Sequence, residues 1–75
     1  MSEAQIMSII VELLPREVLT DYRWFWGEMR KRMGLAPGEL SLPQEVYDVV
    51  RREREAGRLD WDSGQKKIWR KSEVH

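Results

Sequence analysis

From Leu42 to Val74 the chain changes its hydrophobic period once, and that change limits the folds open to it. Leu42, Val46, Val49 and Val50 recur at helical spacing until Gly57 releases the chain. Beyond it, Arg58-Leu59-Asp60-Trp61-Asp62 and Lys66-Lys67-Ile68-Trp69-Arg70-Lys71 alternate as strands do. Between them stands Asp62-Ser63-Gly64-Gln65, a turn sequence in which Gly64 is expected to supply the positive φ that a hairpin needs. Because Ile68 and Trp69 are adjacent, one must point inward with Leu59 and Trp61 and the other outward. A helix running directly into a C-terminal two-stranded hairpin places the chain in the α+β class.

Two further helices precede this unit. Ser2-Glu3-Ala4-Gln5 has the spacing of a capping box, and Ile6, Ile9, Ile10, Leu13 and Leu14 form one buried stripe before Pro15 ends the helix. Proline is tolerated in a first helical turn, so Pro15 is also expected to open a second helix reaching about Met33. Its stripe would be Val18, Tyr22, Phe25, Met29 and Met33, widened by Leu19 and Trp26. Trp24 falls on the opposite side with Thr20, Gly27, Glu28 and Lys31. Gly34 is placed to close this helix, with Arg30-Lys31-Arg32 at the negative end of its dipole. The Pro37-Gly38 pair marks Leu35–Leu40 as a loop, and Ser41 is expected to cap the third helix, with Pro43 in its first turn and Gln44 closing a second capping box.

At 75 residues there is room for one domain, residues 1–75, and a core of this size supplies only about 3–5 kcal/mol without reinforcement. The chain has no cysteine, so disulfides and thiolate zinc sites are excluded, and its four tryptophans are left to do the reinforcing. The same absence fits a reducing cytoplasm. Met1–Gln5 lacks the cationic start of a signal peptide, and Ser8 and Glu12 interrupt the first apolar run, so neither a leader nor a membrane span is expected. With His75 the only histidine, and with no glycine-rich phosphate loop, no catalytic set can be assembled. No cofactor or metal is expected. Asp60-Trp61-Asp62-Ser63-Gly64 is a poor calcium loop, since its glycine comes one position early and Lys71 stands where a bidentate glutamate is required. Asp60 and Asp62 are instead expected to face Lys66 and Lys67 across the hairpin.

The closing string VYDVVRREREAGRLDWDSGQKKIWRKSEV resembles the second half of excisionase and MerR-type winged helix-turn-helix proteins. There a helix ends in a Gly-Arg-Leu-like step, a hairpin wing follows, and the second wing strand leads into a Trp-Arg-Arg-Ser-Glu-Val-like helix start. The resemblance covers about the last thirty residues and lies in the order of features more than in any one residue. It implies a DNA-binding regulator or recombination accessory of the kind that phages and mobile elements encode. Lys66, Lys67, Arg70 and Lys71 of the wing would run along a phosphate backbone, and the third helix, with Arg51 and Arg52, would lie near the major groove.

Charge tempers that expectation. The formal net charge is zero, with residues 1–29 acidic in balance and 30–75 basic. The N-terminal half of the third helix, the part that usually meets bases, carries Glu45 and Asp48. Its exposed face reads equally as a solvated mixed surface, with Asp48–Arg52 and Arg51–Glu55 as i, i+4 pairs. Double-stranded DNA is therefore expected as a weak partner or within an assembly. Trp69 has two readings, stacking on a base beside Lys66, Lys67 and Arg70, or packing on Arg58 as an internal cation–π contact. Trp24 also has two. With Thr20 and Lys31 it forms a patch suited to a protein partner or to a homodimer, or else it packs beneath the hairpin or the 35–40 loop.

Overall fold

Ser2 opens the first helix as its spacing predicts. The Ser2 hydroxyl accepts the Gln5 N–H at 3.2 Å and the Gln5 side chain accepts the Ser2 N–H at 2.8 Å, which satisfies two otherwise orphaned donors. The resulting α1 spans Glu3–Leu13. It buries Ile6, Ile10 and Leu13, with Leu14 following, while Ile9 packs only partly against the core. The computed structural model describes residues 2–36, 38–39 and 41–72. Pro37, Leu40 and the Glu73-Val74-His75 end of the C-terminal motif lie outside the described residues.

The second helix does not begin at Pro15. After Pro15 the chain turns, with the Val18 N–H on the Pro15 carbonyl and Glu17 at φ 62. It then pairs as a short strand β1, Thr20–Asp21, before α2 starts and runs Tyr22–Arg32. Asp21 fixes that start, since its Oδ1 accepts the N–H groups of Arg23 at 2.8 Å and Trp24 at 3.3 Å. Val18 and Leu19, expected in the buried stripe, are consequently 49% and 53% exposed. Phe25 and Met29 are fully buried as predicted, with Tyr22, Trp26 and Met33 packed at the core margin. Gly34, at φ 73, closes α2 with a Schellman arrangement: its N–H meets the Lys31 carbonyl and the Leu35 N–H meets that of Arg30.

The third helix, α3, spans Gln44–Glu55, two residues later than a Ser41 cap would start it. Pro43 stands at its N-cap without a side-chain hydrogen bond, and the Ser41 hydroxyl donates to Glu39 instead. Tyr47 takes up part of the slack by accepting the Leu42 N–H on its hydroxyl at 3.3 Å. Leu42, Val46, Val49 and Val50 are buried as the periodicity requires. Gly57, at φ 78, ends α3 as Gly34 ends α2.

Strands β2, Leu59–Asp62, and β3, Lys67–Arg70, form the expected hairpin, but the sheet has three strands in the order β1-β3-β2. Thr20 lies opposite Ile68 and Asp21 opposite Lys67 on one side of β3, with Trp61 opposite Ile68 and Asp62 opposite Lys67 on the other. Ile68 therefore sits on the central strand and points into the core beside Leu59, both about 1% exposed, which sends Trp69 to the outer face. The hairpin turn departs from expectation, because Lys66 and not Gly64 adopts the left-handed backbone, at φ 57. Asp62 organises it by accepting the Gly64 and Gln65 N–H groups at 2.9 and 3.2 Å. Gly64 answers a different need, since a Cβ there would lie 3.3 Å from Asp62 Oδ1.

Candidate nucleic-acid interface

The sheet brings the start of α2 against the hairpin turn. The Tyr22 N–H donates to the Lys66 carbonyl at 3.0 Å, and Asp21 lies opposite Lys67 in the register. Arg23, Lys66 and Lys67 thus share one edge of the molecule, and none has an ion-pair partner within 4.0 Å among the described residues. The two carboxylates at this edge, Asp21 and Asp62, are each occupied by two backbone N–H groups. The N–H groups of Trp24 and Arg23 hold the Asp21 carboxyl below its ordinary value of 3.8, with the charges of Arg23 and Lys67 adding to the effect. These carboxylates reduce the local positive field without cancelling it.

Of the predicted wing contacts, Lys66 and Lys67 are at this edge and the others are drawn elsewhere. Arg70 faces inward, where its Nε donates to the Leu14 carbonyl at the end of α1. Burial pushes its pKa down, and neighbouring Arg16 pushes it further in the same direction. Lys71 approaches Asp60 at 3.8 Å, and Asp60 is also held by Arg54 Nε at 3.0 Å, so Asp60 does not serve Lys66. Trp69 is partly buried on the outer face of the sheet, opposite Asp60. The cation–π contact found is between a different pair from the expected Trp69 and Arg58: the Arg54 guanidinium of α3 lies 3.9 Å over the Trp61 ring of β2.

On α3, Arg51 and Arg52 are both engaged by acids, though not in the expected pairs. Arg51 meets Asp48 at 2.9 Å, one turn back, and Arg52 reaches across to Glu3 of α1 at 2.7 Å. The i, i+4 expectation fails for Arg52 because the α1–α3 packing supplies a nearer carboxylate. The helix keeps Gln44 and Glu45 exposed in its first turn, and this charge pattern is unsuited to a phosphate groove.

The second predicted surface is altered by the later start of α2. Trp24 is 49% exposed, so about half of its surface is left uncovered by the described residues. Thr20 is in β1, not on the Trp24 helix, and its hydroxyl donates to the Val18 carbonyl at 3.2 Å. Lys31 pairs with Glu28 at 3.3 Å. Reading the chain by helical period alone missed Arg23 and Arg16. The signal for Arg23 was Asp21, a favourable N-cap followed directly by the residues it caps. Among the described residues no helix is long and apolar enough to cross a membrane, and no group of His, Asp and Glu is placed to hold a metal ion. No family model, curated protein or solved structure was found to match the chain.

Proposed function

We propose that the chain is a winged-helix DNA-binding domain that lays the β2–β3 turn and the first turn of α2 along a phosphate backbone. The observation that carries this reading is the order helix, strand, helix, helix, strand, strand, with the short first strand laid against the last in a β1-β3-β2 sheet. That order is the one in which a helix pair is followed by a wing, and it puts the wing turn beside the start of the pair's first helix. Arg23, Lys66 and Lys67 lie at that junction. With Glu45 and Asp48 on the leading half of α3, and with Arg51 and Arg52 held by acids, contact is mainly to phosphate and sequence preference is low. Such a domain suits a regulator or recombination accessory that works within a larger complex, where a partner supplies the sequence reading.

Titration of labelled duplex tests the proposal. Three ionic contacts give a slope of log affinity against log salt of about −2 to −3, and Lys67→Ala or Arg23→Ala should each reduce it by about one on every sequence alike. Absence of binding at about 50 mM salt and protein concentrations up to about 100 μM, the weak end of ordinary non-specific association, would exclude autonomous DNA binding.

A protein-binding role is the second reading, and the exposure of Trp24 favours it. A half-exposed tryptophan on a helix of a small domain is well suited to anchor a partner or a second copy of the chain. Trp24→Ala would then leave the melting temperature nearly unchanged while weakening self-association or partner binding by roughly 2 kcal/mol. A large fall in melting temperature would show that the side chain is needed by the fold.

A further inference from the structure

At the end of β3 away from the turn, a pocket of about 180 Å³ opens between α1, the end of α3 and the start of β2. Its floor is apolar, formed by Met7, Ile10 and Val11 of α1 with Leu59. Its rim is cationic. Arg16, Arg58, Arg70 and Lys71 surround it against one carboxylate, Glu53, which is itself paired with Arg58. We infer that this pocket binds a small organic monoanion, with a carboxylate held between Arg16 and Arg70 and an apolar body on the Val11–Leu59 floor.

Three features point to that chemistry. Arg16 and Arg70 are bridged through their backbones, which fixes two guanidinium-bearing residues side by side. The Arg16 side chain has no ion-pair partner among the described residues, and Arg70 spends only its Nε on the Leu14 carbonyl, leaving donors suited to a carboxylate. Burial first, and the neighbouring Arg16 charge second, lower the Arg70 pKa, and an anion placed between the two arginines offsets both effects. Volume limits the body. An apolar cavity of about 150 Å³ is enough to take benzene, so the pocket suits a body of about the size of a phenyl ring or a short alkyl chain. Val11, 47% exposed, keeps the floor accessible from solvent. A phosphodiester would gain nothing from this floor, which separates the pocket from the phosphate edge at the other end of β3.

The test is calorimetric titration of the full chain with hexanoate, hexanol and inorganic phosphate, with amide and methyl NMR shifts reporting location. Saturable hexanoate binding with shifts confined to Val11, Arg16, Leu59 and Arg70 is expected, with hexanol and phosphate each weaker by about tenfold, the worth of a lost charge-assisted contact or of the apolar body. Arg16→Glu should weaken hexanoate by at least about tenfold, and Val11→Ser should weaken hexanoate but leave phosphate unchanged. Both positions are exposed, so thermal melts should stay at the parent value and separate lost binding from lost folding. Equal affinity for hexanol would overturn the anion assignment, and equal affinity for phosphate the apolar one. Linear, unsaturating shifts, or Arg16→Glu binding like the parent, would overturn the site.

Discussion

Lys66 holds a left-handed backbone at φ 57 and also supplies one of the three cations at the proposed DNA edge, so strain and function meet at one residue. Replacing it with glycine separates them. A left-handed L-residue costs about 1–2 kcal/mol, and glycine returns about 0.5–1 kcal/mol of that through the greater freedom of the unfolded chain. The backbone carbonyl that accepts the Tyr22 N–H is retained, and the Lys66 side chain makes no hydrogen bond among the described residues that would be lost. Lys66→Gly should therefore stabilise by about 0.5–1 kcal/mol, or raise the melting temperature by about 2–8 °C for a domain of this size. Lys66→Ala removes the same charge and keeps the strain, so its melting temperature should stay near the parent value. Both variants should lower the salt slope of duplex binding by about one. Gly64→Ala supplies the control at the other turn position, and should be nearly neutral except for a slight shift of Asp62. If Lys66→Gly lowered the melting temperature while Gly64→Ala cost more than about 1 kcal/mol, the positive φ would belong to Gly64 and the turn would be wrongly described.

The remaining predictions concern the core and the cap. Val18 and Phe25 are seven apart and equivalent by helical period, yet Phe25→Ala should cost about 3–5 kcal/mol and Val18→Ala no more than about 0.5 kcal/mol in urea denaturation; equal losses would restore a helix starting at Pro15. Because β3 is the central strand and Ile68 closes the core, a fragment ending at Gly57 should show no cooperative thermal transition by circular dichroism, and a melt like that of the intact chain would refute this. The Asp21 carboxylate has its pKa lowered on folding, so its contribution is present above the unfolded value near 3.8 and is lost as pH falls through the lower folded value. Asp21→Asn, which keeps the cap without the charge, should flatten stability against pH in that acid range, and an unchanged acid limb would show that Asp21 does not carry it.

Most local signals were legible where one segment contains all of its partners, the exceptions being the Ser41–Gln44 box, where Pro43 takes the cap position, and Gly64, whose expected positive φ falls on Lys66. The Ser2–Gln5 box, the α1 and α3 stripes and the Gly34 and Gly57 stops each close hydrogen bonds within about one helical turn, so residue types at fixed offsets suffice. The start of α2 was misread because Val18, Tyr22 and Phe25 fit a helical stripe and Pro15 is acceptable at a helix start. What overrides that stripe is non-local. Thr20 and Asp21 pair with Ile68 and Lys67, and Glu17 donates its N–H to the Arg70 carbonyl, all from the far end of the chain. Two residues of strand carry too little pattern to announce themselves. The Ile68/Trp69 ambiguity was of the same kind, since alternation fixes that the two differ in direction and only the helices decide which face is inside.

Charge was the least legible property, because a count of Lys and Arg does not say which of them folding consumes. Arg52 is taken by Glu3, Arg32 by Glu12 at 3.3 Å and Arg54 by Asp60, pairs that join separate elements. Among the cations that remain without an ion-pair partner in the described structure, Arg16 and Arg23 belong to the half that the count labels acidic. The zero net charge consequently says little about anion binding. Lys67 and Arg70 mark the two ends of β3, about 10 Å apart at a strand's rise of roughly 3.3 Å per residue, while exposed charges are screened over about 8 Å at physiological salt. An anion at either end therefore responds mainly to its own cluster, Arg23, Lys66 and Lys67 at one and Arg16 with Arg70 at the other. On this argument Arg16→Glu should leave the salt slope of duplex binding within about half a unit of the parent at moderate ionic strength, and a loss approaching one would mean that the two clusters act as a single surface.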